Sequence, residues 1–202
     1  MKPLFITGIG TDIGKTVVAA ILVEKLKADY WKPVQSGELN NSDTQKIRSL
    51  VSNPETQFHP ETYKLTQPFS PHKSAALDAV EIDLNNIILP VTDNQLIIEG
   101  AGGLMVPLNG RELVIDLIQK LDAEVILVSK NYLGSINHTL LSLEVLKARS
   151  VPLKGIIFNG EPDSYSENLI LSYSGVKLIG RIPVLNNLDK TSVIEAGRQF
   201  EL

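Results

Sequence analysis

Short apolar runs alternate with amphipathic segments along most of the chain. Residues 125–128 (Val-Ile-Leu-Val) and 156–158 (Ile-Ile-Phe) are uninterrupted apolar runs, which are typical of strands covered on both faces. In residues 135–149, between them, apolar side chains recur at helical spacing. Strands that alternate with helices pair in parallel. The pattern therefore predicts an α/β fold with a mostly parallel sheet flanked by helices on both faces.

The same periodicities place the individual elements. Strands are predicted over residues 4–7, 29–33, 62–65, 95–99, 124–129, 153–158 and 177–182. Helices are predicted over residues 17–26, 42–51, 112–121, 135–149 and 163–173. Residues 52–71 are punctuated by prolines and are predicted to form a loop-rich segment that shapes a site. The helix over residues 135–149 is apolar on more than one stripe, which indicates burial on two sides and suggests a subunit interface.

Composition narrows the class of protein. With 202 residues, 43% hydrophobic and 21% charged, residues 1–202 are expected to form one α/β domain. The net charge of -4 and the lack of a dense Lys/Arg block argue against a nucleic-acid partner and favour a small molecule. No cysteine is present, so disulfides and thiolate chemistry are excluded. The apolar runs are too short to span a membrane, and the N-terminus lacks a signal-type core, so we expect a cytoplasmic location without a membrane partner.

A glycine-rich loop joins the first predicted strand to the first helix. It runs from Gly8 to Gly14 and ends in Lys15-Thr16. Backbone N–H groups in such a loop, together with the positive end of the following helix, favour an anion. Lys15 then places a charge on the outer phosphates of a nucleotide, and the Thr16 hydroxyl binds the accompanying Mg²⁺. The strict form of this phosphate loop has glycine where the chain has Ile9, so the loop is one residue longer than usual.

A dinucleotide site is disfavoured. The Gly-x-Gly-x-x-Gly pattern requires glycine where the chain has Ile13, and the second strand ends in aromatic residues and Lys32 rather than in an acid for a ribose hydroxyl.

Other charged residues follow the predicted strands. Glu99 closes an apolar strand and precedes four small residues, so its carboxylate can reach a Mg²⁺ held by Thr16. Asp43 stands at a helix start, where an acid is more often an ordinary cap or first-turn residue. Lys32 and Ser36 follow the second strand on the edge that holds the phosphate loop, and the alternative of a solvated lysine and a turn serine stays open. Of the three histidines, His59, His72 and His138, no pair has ligand spacing.

Taken in order, these motifs resemble the dethiobiotin synthetase family over residues 4–185. The segments that carry the resemblance are the long phosphate loop, Lys32-Pro-Val-Gln-Ser36-Gly, Asn41-Ser-Asp43, Ser70-Pro-His72, Glu99-Gly-Ala-Gly-Gly103, Leu133-Gly-Ser-Ile-Asn-His138 and Gly180-Arg-Ile-Pro183. The resemblance implies a P-loop NTPase-like fold and an ATP- and Mg²⁺-dependent cyclo-ligase of biotin biosynthesis. Its substrates would be 7,8-diaminononanoate and CO₂, joined through a carbamate and a carbamic-phosphoric anhydride.

The resemblance also implies roles for individual residues. Lys15, Lys32 and Thr11 would be catalytic, and Thr16, Asp43 and Glu99 would hold Mg²⁺. ATP would be bound by Asp12, Ile13, Gly14, Lys15, Thr16, Val17, Asp43, Glu99, Gly100, Ala101, Gly102, Asn159, Gly160, Pro183, Val184 and Leu185. Substrate would be bound by Thr11, Ser36, Gly134, Ser135, Ile136 and Asn137, the last four across a homodimer interface. The tyrosine that helps to bind the substrate carboxylate in some members has two candidate replacements here, Asn168 and Tyr165.

Three other functions compete with this interpretation. A P-loop ATPase of the partition or assembly-switch type, bound to a macromolecular partner, normally has an extra lysine early in the loop, where this chain has Gly10. An amidating ligase of the cobyrinate type needs a glutaminase domain, for which no length remains. A catalytically silent nucleotide-binding module would not need all of the charged positions named above.

Overall fold

The computed structural model describes all 202 residues, and its main sheet is parallel throughout. The strands are β1 (Leu4–Gly8), β2 (Asp29–Trp31), β3 (Val34–Ser36), β4 (Phe58–His59), β5 (Tyr63–Leu65), β6 (Leu96–Gly103), β7 (Glu124–Lys130), β8 (Leu153–Asn159) and β9 (Leu178–Ile182). Seven of them pair in the order β4-β2-β6-β1-β7-β8-β9. The remaining two, β3 and β5, form a separate parallel pair. The predicted α/β class is confirmed.

Helices cover both faces of the sheet. They are α1 (Lys15–Leu26), α2 (Asp43–Leu50), α3 (Pro71–Leu77), α4 (Val114–Lys120), α5 (Ser135–Ala148), α6 (Ser164–Ser174) and α7 (Lys190–Gly197). Along the central strand β1, Ile6 packs into the core on the α1 side, whereas Phe5 packs into the core on the α4 side. Both faces of β1 are therefore apolar, which explains its uninterrupted apolar run. None of the helices combines the length and apolar character that crossing a membrane requires.

Several boundaries differ from the prediction. Strand β2 ends at Trp31 rather than at residue 33, so Lys32 leaves the sheet and points into the space beyond its edge. Strand β6 continues four residues past Glu99, because its small residues still pair with β1, Gly103 opposite Gly8. The other predicted strands and helices are present with ends shifted by a few residues.

Four elements were missed, and the first is the three-residue strand β3, which pairs with β5. Helix α3 begins at Pro71, the last residue of the segment predicted to be loop-rich, because proline is well accommodated in the first turn of a helix. Strand β4 has only two residues, and Phe58 is placed by its contact with the Tyr30 ring, 6.1 Å between centroids. Helix α7 packs against α1 through Val193 and Ala196. These short elements depend on distant contacts, which a local pattern does not report.

Candidate active site

The glycine-rich loop connects the end of β1 to the start of α1, as its sequence predicts. Gly14 has φ of +95°, and a Cβ at this position would overlap the side chain of Asn159. The Asn159 amide donates a hydrogen bond to the carbonyl of Ile13 at 2.8 Å. The ammonium of Lys15 donates to the carbonyl of Gly10 at 3.0 Å, and burial, the largest influence, lowers the pKa of Lys15. The loop is thus folded around Lys15, and the hydrogen bond from Asn159 of β8 fixes its position.

Two acids and a second lysine meet beside this loop. The ammonium of Lys32 donates to Oδ2 of Asp43 at 2.5 Å and to Oε1 of Glu99 at 3.2 Å. The Thr16 hydroxyl donates to the same Glu99 oxygen at 2.8 Å. The Tyr30 hydroxyl donates to Oε2 of Glu99, also at 2.8 Å. Residues from β2, α1, α2 and β6 are therefore joined in one polar cluster at the carboxyl edge of the sheet.

The charges of this cluster stabilise one another. Burial works to lower the pKa of Lys32, but the negative charges of Glu99 and Asp43 outweigh it, and the pKa of Lys32 is raised. Burial works to raise the pKa of Asp43, but the Lys32 charge outweighs it, and the pKa of Asp43 is lowered. The pKa of Tyr30 is raised well above its ordinary value by burial and by the Glu99 carboxylate. At neutral pH the cluster therefore holds a charged lysine, a charged Asp43 and a protonated phenol.

Asp43 is directed into the site because another residue caps its helix. Ser42 is the N-cap of α2: its hydroxyl accepts from the Gln45 backbone N–H, and the Gln45 side chain accepts from Ser42 N–H at 3.0 Å. The backbone N–H of Asp43 donates to Oε1 of Gln35 at 3.3 Å. Of the two ordinary roles favoured from the residues alone, cap or first-turn residue, Asp43 has the second: it is an acidic residue of the first turn, and its side chain pairs with Lys32.

The donor set of Thr16, Asp43 and Glu99 fits a small divalent cation. All three side chains offer oxygen, the ligand that Mg²⁺ prefers. The Thr16 hydroxyl oxygen and Oε1 of Glu99 are 2.8 Å apart, close to the separation of about 3 Å between neighbouring ligands of an octahedral Mg²⁺ with bonds of about 2.1 Å. These residues would hold the ion next to the phosphate loop.

A cavity of about 930 Å³ contains most of the predicted nucleotide and catalytic residues. Those that line it are Thr11, Asp12, Lys15, Thr16, Val17, Lys32, Ser36, Asp43, Glu99, Ala101 and Gly102. The hydroxyl of Ser36 is buried and has no hydrogen-bond partner within the protein. Such an orphaned group is costly unless a ligand satisfies it.

The remaining predicted residues lie outside this cavity. Ile13 is a core residue, and Gly14 and Gly100 do not line the cavity. Asn159 and Gly160 end or follow β8, and Pro183, Val184 and Leu185 follow the neighbouring β9. Gly134, Ser135, Ile136 and Asn137 begin α5 and line neither this cavity nor the second one described below.

A second cavity of about 370 Å³ adjoins the first. It lies between the phosphate loop, the end of β6 and one face of α5, which contributes His138, Leu141 and Val145. Thr11 lines both cavities. A molecule that extends from the Lys32 cluster toward α5 would therefore pass Thr11.

Sequence reasoning missed three polar contributors to the site. Tyr30 stands two residues before Lys32, so a strand period of two would have placed both on one face. Lys46 stands one helical turn after Asp43 and donates to its Oδ1 at 3.4 Å, and Lys46 also pairs with Glu38 at 2.5 Å. The i, i+3 spacing was the available signal for Lys46. Glu38 has φ of +52°, a backbone feature without a sequence pattern.

The histidines occupy three separate places. His59 lies in β4 with Nε2 at 3.6 Å from Oδ2 of Asp29, His72 lies in α3, and His138 accepts or donates a hydrogen bond with Tyr132 at 2.7 Å.

A parallel sheet with a phosphate loop between β1 and α1, and an acid (Glu99) within the neighbouring β6, defines a P-loop NTPase. Solved structures agree: a ParA family ATPase from Chlorobium tepidum aligns with a TM-score of 0.61 at 12% identity over 98% of both chains. The cell-division ATPase MinD from Pyrococcus furiosus also gives 0.61, at 14% identity and the same coverage. At these identities the likeness shows the fold alone, and the predicted P-loop NTPase-like fold is confirmed.

Sequence comparison assigns the family. An AAA domain family model matches residues 2–192. The ATP-dependent dethiobiotin synthetase BioD of Christiangramia forsetii is 51% identical over 98% of this chain and 96% of its own length. The protein of the same name from Cytophaga hutchinsonii is 54% identical over 89% and 87%. The chain belongs to the dethiobiotin synthetase family, and the resemblance stated from its motifs is confirmed.

Proposed function

We propose that the chain is an ATP-dependent cyclo-ligase that closes a cyclic urea on 7,8-diaminononanoate with CO₂ and so forms dethiobiotin in biotin biosynthesis. Its relatives bear the name of this activity. The observation that carries the proposal is the cluster of Lys32, Asp43, Glu99 and Thr16 in one cavity with the phosphate loop. That arrangement supports a site in which the charged lysine contacts both an anionic second substrate and the outer phosphate of ATP.

The reaction divides into three balanced steps. One amine of the substrate takes up CO₂ and loses a proton, which gives a carbamate. A carbamate oxygen then attacks the γ-phosphorus, and the bond between that phosphorus and the oxygen bridging it to ADP breaks. Finally the second amine attacks the carbamate carbon, and the bond from this carbon to the phosphorylated oxygen breaks. The attacking nitrogen loses one proton, inorganic phosphate leaves carrying that proton, and the cyclic urea remains.

The chain contributes positioning and charge to these steps. Phosphoryl transfer needs little covalent help, and its barrier falls when preorganised cations face the charge that develops. Lys15 lies within the phosphate loop, and Lys32 lines the same cavity. We assign Lys15 to the transferring phosphoryl group and Lys32 to the carbamate and that same group. The raised pKa of Lys32 supports a permanent positive charge there.

Mg²⁺ is the proposed cofactor, held by Thr16, Asp43 and Glu99 together with the phosphates of ATP. When bound, it supplies charge neutralisation for the phosphate oxygens. Tyr30 positions Glu99 by donating to its other oxygen at 2.8 Å. The carboxylate is thereby held with Oε1 toward Thr16.

The diamine is proposed to extend from the first cavity into the second. The unpartnered Ser36 hydroxyl and Thr11, which lines both cavities, supply polar contacts for the amine and carbamate end. The apolar residues Leu141 and Val145 suit a hydrocarbon chain in the second cavity. We further propose that the substrate carboxylate is bound at the α5 N-terminus, residues 134–137, of a second subunit, because these residues face neither cavity of their own chain.

A homodimer is consistent with the exposed apolar residues near α5. Leu133 is fully exposed and Leu141 is 56% exposed, and exposed apolar patches are typical of contact surfaces. On α6, Tyr165 is 86% exposed and Asn168 is also exposed, so both remain candidates for the carboxylate-binding position. The proposal includes no nucleic-acid or membrane partner. Because the reaction consumes ATP, we propose that the protein acts in the cytoplasm.

The adenine base is assigned to the ends of β8 and β9. Strand pairing brings two segments together, because Asn159 of β8 lies opposite Ile182 of β9. The first segment is Asn159 and Gly160, and the second is Pro183, Val184 and Leu185. The hydrogen bond from Asn159 to Ile13 links this pair of segments to the phosphate loop. The assignment predicts that the base lies over the same loop that holds the phosphates.

One assay tests the proposed function. Purified protein is incubated with ATP, Mg²⁺, bicarbonate and 7,8-diaminononanoate, and the products are followed by mass spectrometry and by an ADP assay. We expect one cyclic urea for each ADP formed, with little ADP when the diamine is omitted. ATP hydrolysis at the same rate with and without the diamine would contradict the proposal and favour an assembly-switch ATPase.

A further inference from the structure

A carboxylate is fully buried on the opposite side of the β8–β9 pair from α1. Glu167, in the first turn of α6, has no exposed surface, and glutamates are almost never buried without partners. Its Oε1 accepts from the Asn131 amide at 2.7 Å and from the backbone N–H of Asp163 at 3.2 Å. Its Oε2 forms an ion pair with the Arg181 guanidinium. None of these residues lines either cavity.

The partners of Glu167 lie in or directly after three different parts of the chain. Asn131 follows β7, Asp163 caps α6 after β8, and Arg181 belongs to β9. The Asn131 amide also donates to the carbonyl of Glu161 at 2.9 Å. One carboxylate therefore ties together the carboxyl-edge segments of three adjacent strands.

These ties flank the proposed base site on both sides. Arg181 stands two residues before Pro183, and Glu161 directly follows Gly160. The backbone N–H of Gly160 donates to the carbonyl of Ile182 at 2.9 Å. A change in the position of Arg181 or Glu161 therefore also changes the position of the segments assigned to the base, because only one or two residues separate them.

The side chains of this network face away from the nucleotide. Arg181 pairs in register with Phe158 and its guanidinium lies 6.0 Å from the Phe158 ring centroid. Phe158 packs with residues of α5 and α6, whereas Ile182, one position further along β9, packs in the α1 core. Since successive strand residues point to opposite faces, the ion pair acts from the far side of the sheet.

We propose that Glu167, with Arg181 and Asn131, is a positioning residue that fixes the spacing between the Asn159–Gly160 segment and residues 183–185, and thereby sets the affinity for the adenine base of ATP. The proposal rests on the base site assigned under the proposed function. It predicts an effect on the base-dependent part of nucleotide binding and none on the phosphate-dependent part. If Glu167 contributed only to general stability, its replacement would weaken the base-dependent and the phosphate-dependent parts of nucleotide binding together.

The test compares ATP with inorganic triphosphate, which offers the phosphate chain without a base. In Glu167→Gln, the affinity for ATP, measured by calorimetry, should fall by about tenfold, the scale at which outer supporting contacts act on a binding site. The affinity for triphosphate should stay within about twofold of wild type, and kcat at saturating ATP should be unchanged, so that the loss appears in KM for ATP.

Two further variants make the comparison secure. Glu124→Gln makes the same chemical change in the half-exposed pair with Lys154 at the opposite end of the sheet and should leave both affinities unchanged. If Glu167→Gln does not fold because the arginine is left unpaired, the double variant Glu167→Gln/Arg181→Met removes both charges, a change that proteins often tolerate. It should show the same selective loss.

Three results would overturn the proposal. A folded variant that binds ATP as tightly as wild type, or that loses ATP and triphosphate affinity in equal proportion, contradicts the positioning role alone. A wild-type protein that binds triphosphate as tightly as ATP contradicts the assigned base site and, with it, this proposal.

Discussion

The ammonium nitrogen of Lys32 lies 2.5 Å from Oδ2 of Asp43. Lys32 directly follows β2 and Asp43 begins α2, so the contact joins two separate elements. The same nitrogen contacts Glu99 at 3.2 Å. Lys32 thus holds the two acids that we assign to Mg²⁺ and stays charged because they surround it. A buried cation held between two carboxylates, next to a phosphate loop, is suited to a reaction in which an anionic substrate attacks a phosphate.

The two lysines provide the first prediction. Lys15→Ala and Lys32→Ala should each lower kcat by roughly a hundredfold or more, the cost of losing one preorganised contact to a developing charge. Lys154→Ala, in a pair at the far end of the sheet, is the matched control and should retain turnover within about twofold. Near-normal kcat in either Lys15→Ala or Lys32→Ala would refute the assigned roles.

Asp43 gives a prediction about the metal that does not depend on turnover. In Asp43→Asn the site loses one anionic oxygen, so the affinity for Mn²⁺ in the presence of ADP, measured by electron paramagnetic resonance, should fall by at least about tenfold. Asp122→Asn changes an exposed acid paired with Lys2 and should have no effect. Unchanged Mn²⁺ affinity in Asp43→Asn would remove this residue from the metal site.

The phosphate loop is tested through its last glycine. Gly14→Ala combines a left-handed backbone with an overlap against Asn159, so it should cost about 1–3 kcal/mol in the free energy of unfolding and weaken ATP binding. Gly110→Ala meets no atom within 4 Å and should change stability by less than about 0.5 kcal/mol. Equal behaviour of the two variants in urea unfolding would show that the loop relaxes freely.

Asp29 provides a pH-dependent prediction. Burial works to raise its pKa, but hydrogen bonds from Thr92, the Gln57 backbone N–H and Asn94 outweigh it, so the pKa of Asp29 is lowered. A lowered pKa means that the folded protein favours the carboxylate. Its contribution to stability is present above the unfolded pKa and is lost as the pH falls through the folded value.

Asp29→Asn should therefore be less stable than wild type at pH 7, with a difference that shrinks as the pH is lowered below about 4. Urea unfolding of both proteins between pH 7 and pH 3 measures this difference. A gap that stays constant over the whole range would show that Asp29 contributes through shape rather than through charge.

The parallel sheet and the phosphate loop were predictable because their signals are local. The apolar runs of β7 and β8 indicate buried strands within a few residues. The spacing from Gly8 to Thr16 likewise indicates both a strand-to-helix loop and its phosphate-binding chemistry. The place of Glu99 followed from its position at the end of an apolar strand. These predictions needed only the rule that the carboxyl ends of parallel strands share one edge.

The parts that were missed depend on distant partners. The direction of Asp43 is decided by Ser42, which takes the capping role, and by Lys32, which attracts the freed carboxylate. Strand β4 exists because two residues find an edge next to β2. The Glu167 network joins residues up to 50 positions apart, from Asn131 to Arg181, and no periodic pattern marks such an ion pair.

In the proposed reaction, ATP phosphorylates an oxygen that came from CO₂. This step is tested by running the reaction briefly with CO₂ carrying oxygen-18 in both positions and analysing the phosphate and the cyclic urea by mass spectrometry. We expect one labelled oxygen in each phosphate and one in each urea carbonyl. Phosphate without label, formed alongside labelled cyclic urea, would contradict the phosphorylated carbamate and the roles that we assign to Lys15 and Lys32.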